Sequence, residues 1–338
     1  MFCTFVAKKN KMRKIRMREA IREAMSEEMR RDMRVFLMGE EVAEYNGAYK
    51  VSQGMLDEFG AERVIDTPIS ELGFAGLGVG ASMNGLRPVI EFMTWNFAIL
   101  AADQIINSAA KMLQMSGGQF SCPIVFRGPN GSAGQLAATH SQSFEAFYGN
   151  IPGLKVISIS TPYDAKGLLK SAIRDDDPVV FMESEVMYSD TGEVPEEEYL
   201  IPIGVADIKR EGKDVTIVSY NKMMKVALES ADILAQQGIE AEVIDLRTIR
   251  PMDYTTVINS VKKTNRLVIV EEVWPLGGIA SELSHIVQYR AFDYLDAPIA
   301  RVCSKDTPLA YAPTLIDAWL PNPERVVKAV QEVLYMVK

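Results

Sequence analysis

Residues 63–92, RVIDTPISELGFAGLGVGASMNGLRPVIEF, contain the pattern that decides the fold. The apolar run at 63–65 predicts a strand, the segment 71–83 has the length and apolar content of a helix, and 88–92 predicts a second buried strand. Strands joined through a helix in this way lie parallel, because the helix carries the chain back along the sheet. The stretch therefore predicts an α/β protein.

The same alternation continues on both sides of this stretch. Further strands are predicted at 35–38, 123–126, 155–159 and 179–182, and helices at 97–115, 141–147 and 164–173, after an opening helix that ends near Asp32. Several of these strands are apolar throughout. We therefore expect a parallel sheet that is covered by helices on both faces.

Residues 190–202 interrupt the alternation with glycine, prolines and three successive glutamates, and we interpret them as a linker. A second α/β set follows, with strands predicted at 215–219, 242–244, 267–270 and 299–302 and helices at 223–236, 254–262, 279–288 and 323–334. The sequence thus predicts two α/β domains, residues 12–189 and a smaller one at 203–338.

Composition excludes several classes of protein. A formal net charge of -9 disfavours nucleic-acid binding, and no apolar run reaches the roughly 18–20 residues of a membrane helix. The three cysteines lie far apart, which argues against a disulfide framework, and two histidines without a Cys/His cluster argue against zinc. We expect a bacterial cytoplasmic protein, with the mitochondrial matrix as the alternative.

The first eighteen residues are basic and contain no acidic side chain. This composition is compatible with a mitochondrial transit peptide, but the stretch is short, rich in lysine and poor in serine. Met12 or Met17 also offers an alternative start. We expect residues 1–11 to be disordered or to precede the true start.

Glu71 is the first candidate functional residue. It follows a predicted strand and begins a predicted helix, which places its carboxylate at the edge of the sheet where α/β proteins bind ligands. A structural interpretation is also open: an acid at a helix N-terminus complements the helix dipole, and Ser70 is then the cap.

Four glycines, Gly73, Gly76, Gly78 and Gly80, fall inside the same predicted helix. They do not match the phosphate-binding pattern, which precedes its helix. Each costs roughly 1 kcal/mol relative to alanine in a helix, so they indicate a close approach by another backbone, plausible across a subunit interface.

His140 follows the loop 127–134, which is rich in glycine, proline and asparagine. Such loops display functional groups at the surface. The sequence leaves two roles open for His140, a hydrogen bond within the loop and proton transfer.

Five long strings resemble the β subunits of the decarboxylating component of 2-oxoacid dehydrogenase complexes, which depend on thiamine diphosphate. The resemblance runs from about Met12 to the C-terminus and is carried by DTPISELGFAGLGVGA, EFMTWNFAILAADQIINSAAK, FRGPNGSAGQLAATHSQSFEAFYG, PGLKVISISTPYDAKGLLKSAIRDDDPVVF and VIDLRTIRPMD. It implies a pyrimidine-binding domain followed by a transketolase C-terminal-like domain.

The resemblance also implies roles for single residues. Glu71 matches the glutamate that hydrogen-bonds the aminopyrimidine ring of the cofactor, and Met93 and Phe97 match residues that pack on this ring. Ile69, in the same motif as Glu71, is a further cofactor-binding residue that the resemblance implies. His140 matches a histidine near the reacting substrate, with a role in proton handling or lipoyl transfer. A structural potassium site, built largely from carbonyl groups, is implied at Ile124, Ala172, Ile173, Asp175 and Asp177; Asp177 replaces the asparagine usual in mammalian relatives.

The sequence contains no Gly-Asp-Gly, the motif with which thiamine-diphosphate enzymes hold the diphosphate through Mg²⁺. The chain is therefore expected to supply the aminopyrimidine half of a site that an α subunit completes in an α₂β₂ heterotetramer. By resemblance the C-terminal domain pairs subunits and binds the lipoyl-bearing acetyltransferase core.

Two strings, RVIDTPISELGFAG and FRGPNGSAG, are more similar to the pyruvate branch of the family, which implies pyruvate as the substrate. Branched-chain 2-oxoacids or acetoin are the alternative substrates. A second alternative is a non-catalytic assembly scaffold, which the presence of both Glu71 and His140 disfavours.

Overall fold

The computed structural model describes residues 11–336, so the prediction about residues 1–11 lies outside them except at Lys11. The strands are β1 Met12–Arg16, β2 Val35–Gly39, β3 Val64–Asp66, β4 Arg87–Glu91, β5 Val125–Pro129, β6 Lys155–Ser158, β7 Val179–Glu183, β8 Thr191–Pro195, β9 Asp207–Arg210, β10 Val215–Ser219, β11 Ala241–Asp245, β12 Thr248–Arg250, β13 Leu267–Glu271 and β14 Ala300–Cys303. The α-helices are α1 Met17–Arg31, α2 Met55–Phe59, α3 Glu71–Met83, α4 Trp95–Ala98, α5 Ala110–Met115, α6 Glu145–Gly149, α7 Pro162–Arg174, α8 Met223–Gln236, α9 Tyr254–Thr264, α10 Ile279–Ala291, α11 Pro313–Trp319 and α12 Pro323–Val333.

The first sheet has seven strands in the order β3-β2-β4-β5-β7-β6-β12, and all of them are parallel except β12. Its two faces belong to different apolar clusters. Val35 and Leu37 of β2 pack in one cluster with α1 and α7, whereas Phe36 and Met38 pack in the other with α3. The prediction of an α/β sheet covered on both faces is confirmed.

The second sheet has five strands in the order β14-β13-β10-β11-β9, with β9 antiparallel at one edge. Buried residues of α8 and α12 cover one face, together with alternate residues of β10, β11 and β13. The predicted bounds of β10 and α8 match the structure, because both segments are apolar enough to show their periods.

The predicted linker and the predicted helix 97–115 both differ from the structure. Residues 191–195 of the linker form β8, which pairs antiparallel with β1. The helix is broken by a 3₁₀ turn, Ile99–Ala101, and a π-helical turn, Gln104–Ala109. Gln104 packs against Gly76 of α3. The β1–β8 pair consists mostly of polar residues, so it shows no apolar period in the sequence. The contact of Gln104 with α3 is a tertiary contact, which no local pattern records.

The strand β12 joins the two halves of the chain. It pairs with β6 at the edge of the first sheet, although it lies beyond the predicted linker. Only three residues long, it is too short to give a periodic signal of its own.

A buried ion cluster joins three neighbouring strands at the carboxyl edge of the first sheet. Arg127 of β5 donates from Nε and Nη2 to the two carboxylate oxygens of Glu183 on β7, at 2.6 and 2.5 Å, and from Nη1 to Glu91 on β4. The Tyr188 hydroxyl donates to the same Glu183 carboxylate at 2.7 Å. Burial raises the pKa of Glu91, and the positive charge of Arg127 limits the rise.

Replacing Arg127 by methionine should lower the free energy of unfolding by about 3–5 kcal/mol, because two buried carboxylates lose their partner. The measurement is urea unfolding followed by circular dichroism. The matched control is Arg210→Met, which removes an ion pair with the exposed Asp232 and should cost less than about 1 kcal/mol. Equal losses in the two variants would contradict the prediction.

Candidate active site

Glu71 is the first residue of α3 and is buried, with 5% of its surface exposed. The side chain of Ser70 makes no hydrogen bond to the helix N-terminus, so it is not the cap that the structural interpretation requires. An acid that only complements a helix dipole has no need to leave solvent, and burying it carries a cost. The burial of Glu71 favours a binding role over the structural one.

Glu40, directly after β2, is a second buried carboxyl group at the same edge of the sheet, and it is not among the residues predicted from the sequence. Burial and then the negative charge of Glu71 raise the pKa of Glu40 to about 7. Its Oε1 atom has no hydrogen-bond partner among residues 11–336. The available signal was its place after the apolar strand 35–38, next to the strand that leads to Glu71.

These carboxyl groups lie where the strand order changes direction. The connection from the carboxyl end of β2 leads to β3 on one side, and the connection from β4 leads to β5 on the other, so these two connections diverge. Open α/β sheets bind ligands in the crevice at such a point. A buried carboxyl oxygen without a partner, at the same sheet edge as a second buried carboxyl group, fits a ligand that carries nitrogen donors.

Met93 and Phe97 lie in the segment that follows β4, the strand next to β2. Both side chains are half-buried, and Phe97 lies in the short helix α4. Their apolar surface at the carboxyl edge suits the face of a flat ring. Ile69, in the loop before α3, is 82% exposed.

The structure brings His140 against Phe97. The histidine ends a 3₁₀ turn, Ala138–His140, in the segment after β5, and its ring meets that of Phe97 edge to face with centroids 5.1 Å apart. The Thr139 hydroxyl lies 3.0 Å from Nδ1 of the half-buried ring. The hydrogen bond within the loop is therefore present, and proton transfer stays a prediction.

The groups of the predicted potassium site already have partners. The carbonyl oxygens of Ile173 and Asp175 accept hydrogen bonds from Arg87 Nη1 at 3.0 and 2.9 Å. The side chains of Asp175 and Asp177 contact Lys155. The carbonyls of Ile124 and Ala172 accept backbone hydrogen bonds, from Val179 and Asp175 respectively. A carbonyl oxygen has a second lone pair, so the site stays a prediction.

Within the described residues, the atoms nearest to the α3 glycines belong to side chains and not to another backbone, so the approach across a subunit interface stays a prediction. A Cβ atom at Gly78 would lie 2.6 Å from Cδ1 of Ile90, so this glycine lets the helix approach the sheet. The other side of α3 is exposed: Leu72 and Leu77 expose 50% and 68% of their surface. The helix therefore combines close packing inside the chain with an apolar outer face.

Replacing Glu40 by glutamine should stabilise the protein in the absence of a ligand. The folded-state pKa of about 7 lies above the usual 4.5, so ionisation of Glu40 destabilises the fold as pH rises. The gain should therefore be absent below pH 4.5, grow up to about pH 7, and then stay constant at roughly 1–2 kcal/mol, which is less than the full pKa difference gives because nearby solvent screens the charge. Thermal unfolding across this pH range measures it, and a gain independent of pH would contradict the assignment.

Both parts of the chain match known protein families, and full-length relatives of the chain carry one common name. Residues 13–190 match the family described as "Transketolase, pyrimidine binding domain", and residues 204–326 match "Transketolase, C-terminal domain". The pyruvate dehydrogenase E1 component subunit beta of Rhizobium meliloti is 59% identical over 94% of this chain and 69% of its own length. The protein of the same name from Rickettsia felis is 57% identical, over 95% of this chain and 98% of its own.

Solved structures show the same fold at low sequence identity. A split-gene transketolase, solved as an inactive β4 tetramer, superposes with a TM-score of 0.76 at 23% identity, covering 96% of this chain and 99% of its own. Within residues 11–336, no helix combines the length and apolar character needed to cross a bilayer.

The bovine mitochondrial E1 component subunit beta is 54% identical over 95% of this chain and 90% of its own. The chain belongs to the family of pyruvate dehydrogenase E1 component β subunits.

Proposed function

We propose that this chain is the β subunit of a thiamine-diphosphate-dependent enzyme that decarboxylates pyruvate and transfers the two-carbon unit to a lipoyl group as acetyl. The observation that carries the proposal is the buried pair Glu71 and Glu40 at the crevice of the first sheet. The relatives named above support pyruvate as the substrate.

Glu71 would hold the aminopyrimidine ring by sharing a proton with one of its nitrogen atoms. Its position at the buried start of α3 fixes the carboxyl group, and at neutral pH the raised pKa of Glu40 leaves much of that neighbour uncharged. When bound, the cofactor supplies a nucleophilic carbon and an electron sink for the decarboxylation. Met93 and Phe97 would cover the ring and exclude water from it.

His140 would act at the substrate side of the same site. Its contact with Phe97 places the imidazole beside the residue that covers the ring. A ring nitrogen of imidazole can either donate or accept a proton, so it suits a proton transfer to or from the substrate or the lipoyl group.

An α subunit would hold the diphosphate and Mg²⁺, since the sequence has no Gly-Asp-Gly motif. Three exposed apolar residues lie near Glu71 in the sequence and offer a surface for such a partner: Ile69, Leu72 and Leu77. The C-terminal domain would pair subunits in an α₂β₂ tetramer and bind the lipoyl-bearing acetyltransferase core. Potassium, if bound, would share the carbonyl groups of Ile173 and Asp175 with Arg87.

The first experiment measures pyruvate-dependent reduction of an artificial electron acceptor with thiamine diphosphate and Mg²⁺. The purified chain is assayed alone and then mixed with the α chain from the same genome. Activity only in the mixture, with pyruvate preferred over branched 2-oxoacids and acetoin, is the expected result. Activity of the chain alone would refute the divided site.

Replacing Glu71 by glutamine should lower kcat by at least about a hundredfold, because the amide cannot exchange a proton with the ring. Gel filtration should show an unchanged tetramer, since the variant keeps the shape of the side chain. The matched control is Glu19→Gln on α1, which should keep full activity. A Glu71→Gln enzyme with normal kcat would instead favour the scaffold alternative.

Replacing Leu77 by arginine should weaken binding of the α chain, because the new charge has to be desolvated in the interface. Sedimentation of the mixed chains measures the loss as free α and β species. Met33→Arg is the matched control, since Met33 is 76% exposed and lies after α1. An intact tetramer with Leu77→Arg would place the α chain elsewhere.

A further inference from the structure

The loop that carries His140 is closed at its base by a hydrogen bond. The amide of Gly131 donates to the carbonyl of Gln142 at 3.0 Å, so residues 131–142 form one closed loop. Its exit is held within the first domain, because the amide of Gln142 donates to Oδ1 of Asn96 at 3.0 Å.

The entrance of the loop is held by the other domain. The amide of Ser132 donates to Oε1 of Glu272 at 2.7 Å. Lys222 donates from Nζ to the hydroxyl of Ser132 at 2.6 Å and also to its carbonyl oxygen. Lys222 and Glu272 pair with each other at 2.7 Å, so every polar group of Ser132 has a partner in this clamp.

The two clamp residues, Lys222 and Glu272, come from neighbouring strands. Lys222 follows β10 and Glu272 follows β13, and these strands are hydrogen-bonded in parallel. Both residues therefore stand at the carboxyl edge of the second sheet, where it faces the first domain. Their exposed fractions are only 7% and 6%, so the pair is held away from water.

The backbone of the loop is shaped to admit the clamp. Gly131 has φ +76°, a left-handed conformation that favours glycine, and a Cβ there would lie 2.8 Å from Oε2 of Glu272. A buried ion pair is seldom more stabilising than apolar side chains of the same volume. Its directional hydrogen bonds do, however, specify one geometry, which is what a loop with a functional side chain requires.

We infer that Lys222 and Glu272 are positioning residues, which act through Ser132 to fix the loop and thereby the place of His140. Their contacts are with Ser132 and with each other, and their effect on turnover rests on the proposed function. The second domain then contributes to the reaction as well as to assembly.

The test uses the double variant Lys222→Met/Glu272→Met, which leaves no unpaired buried charge. In the complex with the α chain and a lipoyl domain, kcat should fall between about tenfold and a hundredfold, the loss that a small misplacement causes, while KM for pyruvate stays constant. In a His140→Ala background the same double change should cause no further loss, because residues that act as a unit are not additive.

The matched control is Lys263→Met/Glu242→Met, which removes an ion pair of the same domain away from the loop. It should leave kcat unchanged. Lys222→Arg keeps the positive charge, so this variant should retain most of the wild-type activity that the double methionine variant loses. Equal losses in the clamp and control variants, or losses that multiply with His140→Ala, would overturn the inference.

Hydrogen exchange of the full chain provides a measurement that does not need activity. The amides of residues 132–142 should exchange faster in the clamp variant and at the wild-type rate in the control. Ser132→Ala keeps the ion pair and removes only the hydroxyl, so the same amides should also exchange faster, but by a smaller factor. An inactive wild-type mixture would refute the proposed function, whereas unchanged exchange would refute the clamp.

Discussion

The ion cluster of Arg127 with Glu91 and Glu183 is the interaction on which the rest of the site depends. It joins β4, β5 and β7 at the carboxyl edge of the first sheet, where three separate chain segments leave the core. The segment after β4 carries Met93 and Phe97, and the segment after β5 carries His140. The guanidinium of Arg127 on β5 bonds to Glu91 at the end of β4, so the starting points of these two segments are linked.

The carboxyl groups of this edge fall into two classes with different charge balance. Glu91 and Glu183 share a buried cation and serve the fold. Glu40 and Glu71 follow neighbouring strands, and the charge of Glu71 contributes to the raised pKa of Glu40, which has a carboxyl oxygen with no hydrogen-bond partner among residues 11–336. The first pair is balanced by a buried cation, whereas Glu40 keeps an oxygen without a partner, and this contrast supports the proposed binding role of the second pair.

The second domain is more closely involved in the first than a linker between independent domains suggests. It contributes β12 to the first sheet, and Arg247, just before β12, pairs with the buried Asp164 at the start of α7. Lys222 and Glu272 hold the entrance of the loop that carries His140. The position of that loop therefore depends on how the two domains pack.

The sequence by itself determined the α/β class, the bounds of α3 and α8, the placement of Glu71 at a sheet edge and that of His140 after a loop between strand and helix, because patterns of apolar residues and strand-to-helix junctions are local properties. It did not determine β1, β8, β9, β12 and α11, which are short or polar. Only the tertiary structure showed that Glu40 is buried at the same sheet edge as Glu71 and within reach of its charge. It alone showed the clamp as well, since Ser132 and Glu272 are 140 positions apart and no local pattern records a contact across that distance.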